Sequence, residues 1–442
     1  MVPRTLVPCA EDGNRLWIQP VDAAGWLNRS AGGSNVGFNV VPIGSLVSFD
    51  SVRRWNAPTG GFRWPCTCLI KEESTLKIPF CALFLACLTT IALADENPIG
   101  FQSSTLPDAQ NDRSLEMVVW YPSATTAATQ LIGDDVVFVG ASAVRDAPPA
   151  AGKHPLVVLS HGYRGNWSNQ IWLASALAHR GYIVAAINHP GTTTHDRSPQ
   201  AAAQLWQRPI DVRRAIDSVT TQPEKFGVVA NGQIAVAGHS LGGMTALEIA
   251  GARFDPDRFA QECKAHPQLA SCSVYGKINP ASTAESKAAL AADLRDKRVT
   301  AVVTLDLGLS RGLTDESLAA LPVPALVIAA GVPSHDLPAE LESAILAKRL
   351  PPASSRYVEI SDASHFSFLS MCKPGAQAML EEEVPGDGII CLDGDNGRAR
   401  EVIQQQVTSL IAEFLQSSVW ALSERSEQLE PSVSLTSHTR PQ

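Results

Sequence analysis

The most pointed chemistry lies in Gly238-His239-Ser240-Leu241-Gly242, with Gly243 after it. This is the G-x-S-x-G form of a nucleophile elbow. It follows the apolar run QIAVA and precedes the helix-forming run MTALEIA, the strand–turn–helix setting that the motif needs. Gly238 and Gly242 leave room for a turn tight enough to force Ser240 into a strained conformation. The Ser240 hydroxyl then stands above a sheet edge at a helix N-terminus, where the dipole favours developing negative charge.

A serine hydroxyl is inert without a base, and behind such an elbow the chain order is serine, acid, histidine. The downstream histidines are His266, His335, His365 and His438. His365, in SDASHFSF directly after the last candidate strand, occupies the loop position expected of the base, with His335 as the alternative. His266 falls in a cysteine-containing segment and His438 in the C-terminal tail. Two carboxylates could hold the base in its productive tautomer. Asp306 ends the run VTAVVTLD. Asp336 follows the next strand in AAGVPSHD, the commoner place for such an acid. Asp362 is too close to His365 in sequence to turn back on its ring. Backbone amides should form the oxyanion hole: Leu241 supplies one, and Tyr163 in the loop Ser160-His161-Gly162-Tyr163-Arg164-Gly165 supplies the other. His161 and His239 read as structural neighbours of these loops, and His189 as structural or as bordering the pocket.

Short β-rich runs alternate with helix-length segments from about 114 to 416, which argues for an α/β fold with a mostly parallel sheet. Candidate strands are Leu115–Tyr121, Pro155–Ser160, Tyr182–Asn188, Gln233–Ala237, Val299–Leu305, Ala325–Ala329 and Arg356–Ile360. LVVL, IVAAI, IAVAG, VTAVVTL and ALVIAA are apolar throughout, as strands covered on both faces should be. Candidate helices are Asn169–Arg180, Arg208–Thr221, Gly242–Ala252, Pro338–Lys348 and Arg398–Leu415, the last carrying Val402, Val407, Ile411 and Phe414 at helical spacing. Residues 253–297 interrupt the rhythm and read as an excursion over one end of the sheet, a candidate lid. The Ser-rich tail 417–442 reads as disordered.

The chain has 442 residues, 45% hydrophobic and 18% charged, which excludes disordered, collagen-like and coiled-coil classes. A net charge of −9 offers no basic field for nucleic acid. No apolar run reaches the roughly 20 residues of a comfortable membrane span, so no stable transmembrane segment is expected in the mature form. Residues 71–94 end in IPFCALFLACLTTIALA, preceded by Lys77 and closed by Ala92-Leu93-Ala94, the pattern of a secretory signal peptide. The expectation is therefore an exported protein, periplasmic or secreted, with a catalytic domain over 95–416. Residues 1–70 show no clear period and read as a non-native or disordered extension upstream of the true start. Past the leader the cysteines are Cys263, Cys272, Cys372 and Cys391. In an exported protein they read as two disulfides, paired locally as Cys263–Cys272 and Cys372–Cys391. They form no metal-ligand pattern.

Taken together, VWYP (119–122), LSHGYRGN (159–166), INHPGTTTHD (187–196), GHSLGG (238–243), the Asp306 strand end and SHFSF (364–368) resemble the platelet-activating-factor acetylhydrolase-like branch of the α/β-hydrolases. Bacterial members of this branch are often labelled predicted dienelactone hydrolases. The resemblance covers about 100–416. It implies the α/β-hydrolase fold, favours Asp306 over Asp336 as the acid, and maps the oxyanion amides onto Tyr163 and Leu241. Dienelactone hydrolases proper use a cysteine nucleophile, whereas this chain has Ser240, so dienelactone cleavage is a poor reading. The implied activity is serine hydrolysis of a short acyl ester, small-molecule or lipid, with acetylated phospholipid among the candidates and no cofactor or metal required. Lipase, polyester hydrolase and amidase are alternatives on the same fold, and a non-catalytic binding module is a more distant one. Oligomeric state is not legible.

Overall fold

The computed structural model describes residues 98–108, 113–394 and 397–420, the side chains of 417–419 aside. The proposed extension, the leader and most of the tail lie outside the described residues. Among the described residues ten strands form one sheet: β1 Ile99–Leu106, β2 Leu115–Pro122, β3 Gln130–Ile132, β4 Ala141–Arg145, β5 Lys153–Ser160, β6 Ile183–Asn188, β7 Val228–His239, β8 Ala301–Leu305, β9 Ala325–Ala330 and β10 Ser355–Ile360. Their order is β10-β9-β8-β7-β5-β6-β2-β1-β4-β3. From β6 to β10 every pairing is parallel, while β2 runs antiparallel to both β1 and β6.

The parallel strands are those whose sequences are apolar throughout. All five residues of β8 and all six of β9 are buried. Helices cover both faces because a strand apolar on both sides must be covered on both sides. On one face the helices Gln207–Thr221 and Leu241–Ala250 bury Val212, Ile216, Leu247 and Ile249 against Val158 and Val236 of β5 and β7. On the other, Ile171–His179 and Arg400–Phe414 bury Leu173, Leu177, Ile403 and Val407 against Val157 and Val303.

The parallel order β6-β5-β7-β8-β9-β10 brings the C-terminal ends of β5, β7, β8 and β10 to one edge. Ligand sites of open α/β sheets lie at that edge. The seven expected strands are present with boundaries within a few residues, except that β7 begins five residues early. β1, β3 and β4 have no counterpart in the sequence reading: β1 is buried at only one end, and β3 and β4 are short edge strands. The final helical segment continues to Trp420, whose ring is buried beside Tyr182 at 5.8 Å.

Residues 253–297 fold as the helices Pro256–Ala265, Ala270–Ile278 and Ala284–Leu290. The first starts where Asp255 accepts from the Asp257 and Arg258 amides (2.9 and 3.0 Å), with Pro256 in its first turn. The Cys263–Cys272 bridge and the Phe254, Phe259 and Tyr275 rings knit the excursion together. It is anchored to the core where Ser271 Oγ donates to Glu342 Oε1 at 2.7 Å.

Candidate active site

Strand β7 ends at His239 and the helix Leu241–Ala250 begins after one intervening residue. That residue, Ser240, has φ 54° and ψ −121°, a conformation that costs a non-glycine residue on the order of 1–3 kcal/mol. The turn is held from both sides. The Ser240 N–H donates to the Leu305 carbonyl (3.0 Å), and the Gly243 N–H donates back to the Ser240 carbonyl (2.9 Å). A Cβ on Gly238 would overlap the Gly242 carbonyl, and one on Gly242 would overlap the Ser160 carbonyl. Close backbone approach therefore demands glycine at both positions.

β8 lies directly beside β7, and Asp306 follows its last residue at φ 42°. The Asp306 carboxylate is buried. Its Oδ1 accepts from the Ala330 amide (3.0 Å) and its Oδ2 meets His365 Nδ1 at 2.7 Å. An ionised carboxylate can only accept, so Nδ1 carries the proton and Nε2 is left as the acceptor. Ser240 and His365 line one cavity.

The other sequence candidates do not converge there. Asp336 is exposed, and its Oδ1 accepts from Ser334 Oγ at 2.7 Å within its own turn. His335 is exposed beside it. Asp362 pairs with Arg398 at 2.7 Å, and that guanidinium holds the carboxyl well below the usual range. His266 caps the helix Pro256–Ala265, and His438 lies outside the described residues.

Leu241 is the first residue of its helix, so its N–H has no intrahelical acceptor. Tyr163 lies in the turn after β5, where a Cβ on Gly162 would sit 3.1 Å from the Ser240 Cβ. Among the described residues neither of these two N–H groups donates to a backbone carbonyl.

Beneath this loop lies a buried network that the sequence reading missed. Arg208, from the helix Gln207–Thr221, donates to Thr245 Oγ1 (3.0 Å), Thr192 Oγ1 (2.6 Å), Ser160 Oγ (3.3 Å) and the His161 carbonyl. Ser160 Oγ meets His189 Nε2 at 2.9 Å, and His189 Nδ1 meets Asp211 Oδ2 at 3.0 Å. Arg113 closes the chain with two bonds to Asp211, at 2.9 and 2.7 Å. Asp211, His189 and Ser160 thus repeat the acid–histidine–serine pattern, but all three are buried beyond reach of any substrate. Their effect is to pin the end of β5 and the loop that follows it. The available signal was a charge on an apolar stripe: Arg208 sits at helical spacing from Val212, Ala215 and Val219.

Burial drives the imidazoles of His161, His189 and His239 well below the usual histidine range, so they stay neutral. His239 stacks on His365 with ring centroids 4.5 Å apart, and its Nε2 donates to the His365 carbonyl at 2.9 Å. It braces the loop that carries His365.

The cavity measures about 390 Å³. Its floor is Ser240, His239, His365 and the 162–166 loop. Its apolar wall is Phe138 from the β3–β4 connection, Phe366 and Leu369, with Leu380, Val384 and Ile390 from the segment 376–391. None of residues 253–297 lines it, contrary to the expected lid. That excursion is anchored over the β8 and β9 connections, while the wall hangs from the loop after His365. Cys372 and Cys391 close this wall segment (S–S 1.99 Å), and Cys263 and Cys272 close the other excursion (2.02 Å).

Residues 157–378, half of the chain, match the alpha/beta hydrolase family. This chain belongs to the alpha/beta hydrolase family. The matched span runs from β5 through the elbow and past His365. A ferulic acid esterase from Streptomyces cinnamoneus shares the fold, with a TM-score of 0.51 at 21% identity over 75% of this chain and 93% of that one. YitV of Bacillus subtilis (strain 168), named as a candidate esterase, is 27% identical over 96 residues. That match spans 21% of this chain and only 38% of YitV.

Proposed function

We propose that this α/β-hydrolase is a serine carboxylic-ester hydrolase acting on short-chain acyl esters. The observation that carries the reading is the 2.7 Å His365 Nδ1–Asp306 Oδ2 contact in a cavity shared with Ser240 at φ 54°. The names of the two similar proteins agree with an ester substrate. A cavity of about 390 Å³ lies at the small end of ligand pockets, which favours a short acyl group. The acetylhydrolase-like segments VWYP and NHPG favour acetylated phospholipid as a substrate to try first after simple esters.

In this mechanism Ser240 Oγ attacks the ester carbonyl carbon while His365 Nε2 takes its proton. The Leu241 and Tyr163 amides donate to the oxyanion. The C–O bond breaks, and the alcohol leaves with the proton from His365. Water then attacks the acyl-enzyme carbonyl as His365 Nε2 takes its proton; the carbonyl–Oγ bond breaks, His365 returns that proton to Ser240 Oγ, and the acid leaves. Asp306 stabilises the imidazolium. Two disulfides suit an oxidising compartment, so we also propose that the protein works after export.

Purified protein assayed on p-nitrophenyl esters of two to sixteen carbons, beside Ser240→Ala, tests the reading. Fast acetate and butyrate cleavage with a steep decline beyond is expected, and the variant should lose on the order of 10⁶-fold in kcat. Near-full activity in Ser240→Ala would falsify it.

A further inference from the structure

Ten large apolar side chains are exposed among the described residues, and seven of them fall in two short segments. Leu131, Val136 and Val139 belong to the β3–β4 hairpin, and Met379, Val384, Ile389 and Leu392 to the segment that follows Cys372. Val136 is 75% exposed and Leu131 58%. Such clustering is uncommon on a soluble surface and marks a place where something docks.

The two segments form one piece. Val139 N–H donates to the Met371 carbonyl (2.8 Å), and Lys373 N–H donates to the Val137 carbonyl (2.7 Å). Lys373 Nζ meets Asp134 Oδ2 at 2.7 Å, and the Cys372–Cys391 bridge closes the far side. The apron is therefore tied to the framework. It is also continuous with the cavity, because Phe138, Val384 and Ile389 line the space that holds Ser240.

We propose that this apron seats the cavity mouth on the surface of an aggregated, uncharged apolar ester, so that substrate is drawn from an interface as well as from solution. The proposal rests on the ester-hydrolase reading. Position selects this occupant: a protein partner or second copy seated around the mouth would plug the cavity, whereas an ester surface delivers substrate into it. Charge selects against an anionic lipid surface. Glu381, Glu382 and Glu383 are exposed on the helix Ala376–Glu383 within the apron, and the chain as a whole carries −9, so an anionic surface is repelled.

The experiment uses tributyrin emulsion droplets, with flotation of the protein as the readout, and the double variant Leu131→Asp/Val136→Asp. Neither side chain lines the cavity. Ser240→Ala protein should float with the droplets. Adding the two aspartates to that background should weaken flotation by about tenfold or more, since two apolar contacts are lost. With Ser240 intact, the double variant should cleave dissolved p-nitrophenyl acetate at the unmodified rate but emulsified tributyrin at least about tenfold more slowly. Charging the droplets with phosphatidylglycerol should weaken flotation further. Absence of flotation, equal flotation with and without the aspartates, or a dimer in droplet-free solution that the aspartates dissolve would each overturn the proposal; the last would assign the apron to a second copy. Flotation of the Ser240→Ala protein does not depend on turnover. Failure of the ester-hydrolase reading would instead appear as no cleavage of dissolved p-nitrophenyl acetate by the unmodified protein.

Discussion

Four histidines surround the elbow, and their environments separate their roles. His161, His189 and His239 are buried and held neutral, whereas His365 is partly exposed in the cavity and paired with Asp306. Replacing Asp306 with Asn should cut kcat on the order of 10⁴-fold, because the histidine would adopt the wrong tautomer. Asp336→Asn should leave the rate within about twofold, as expected of an exposed residue away from the site. Steady-state kinetics on p-nitrophenyl butyrate decide between the two carboxylates.

The buried titratable groups also set the pH dependence of stability. Below about pH 6.5 the unfolded chain protonates three histidines that the folded chain keeps neutral. Stability should therefore fall as pH drops through that range, with up to about 1.4 kcal/mol per pH unit from each. Glu248 acts in the opposite direction. Burial pushes its carboxyl from 4.5 up to about 8, so between those values the unfolded chain has lost a proton that the folded chain retains. Stability then falls as pH rises through that window. Urea midpoints from pH 5 to 9 should show a maximum near neutrality, and Glu248→Gln should flatten the alkaline limb. An alkaline limb as steep in the variant as in the unmodified protein would exclude Glu248 as its cause.

At the scale of elements, the loop after β5 is held partly by itself, through the Gly165 N–H donating to the Gly162 carbonyl (3.1 Å), and partly by its neighbours, through the Arg164 N–H donating to the Thr192 carbonyl (2.8 Å). Gly162 and Gly165 make it permissive, and Arg164 adopts φ 61°. Its buried anchor is Arg208, which donates to the His161 carbonyl at the start of the loop. Burial lowers this guanidinium to about 9, leaving it cationic at neutral pH. Arg208→Lys keeps the charge but cannot reach four acceptors in a fork. We expect kcat to fall about 10–100-fold, short of the loss of a whole oxyanion donor, with KM within about twofold. A matching loss in KM with kcat preserved would mean that Arg208 supports substrate binding instead.

At the scale of the whole molecule, the two bridges close loops of 9 and 19 residues on different excursions. Loop-closure entropy assigns each at most about 3 kcal/mol of stability. Their functional consequences should differ, because only Cys372–Cys391 closes a segment that walls the cavity. Cys372→Ser/Cys391→Ser should raise the ratio of octanoate to acetate cleavage as the wall loosens. Cys263→Ser/Cys272→Ser should lower the urea midpoint and leave that ratio unchanged. The same shift in both variants would point to general loosening of the fold.

Much of this organisation is local and therefore readable along the chain. The parallel strands announce themselves because burial on both faces needs unbroken apolar runs. The elbow does so because a strained serine between strand and helix needs glycine at fixed offsets, and His365 because it follows the last strand. What the chain alone left open depends on which elements become neighbours. Asp306 and Asp336 both follow strands. The adjacency of β8 to β7 sets Asp306 beside the elbow, and the loop after β10 reaches back over β9 to lay His365 on it, while Ser334 occupies Asp336. The Arg113–Asp211–His189–Ser160 chain joins residues up to 98 positions apart, a meeting created by the order β5-β6-β2 and its covering helix. The cavity wall likewise arises where the β3–β4 hairpin meets the loop after His365 across the sheet. Local patterning sets each residue's conformation and the face it buries; only tertiary packing determines which side chains share a site.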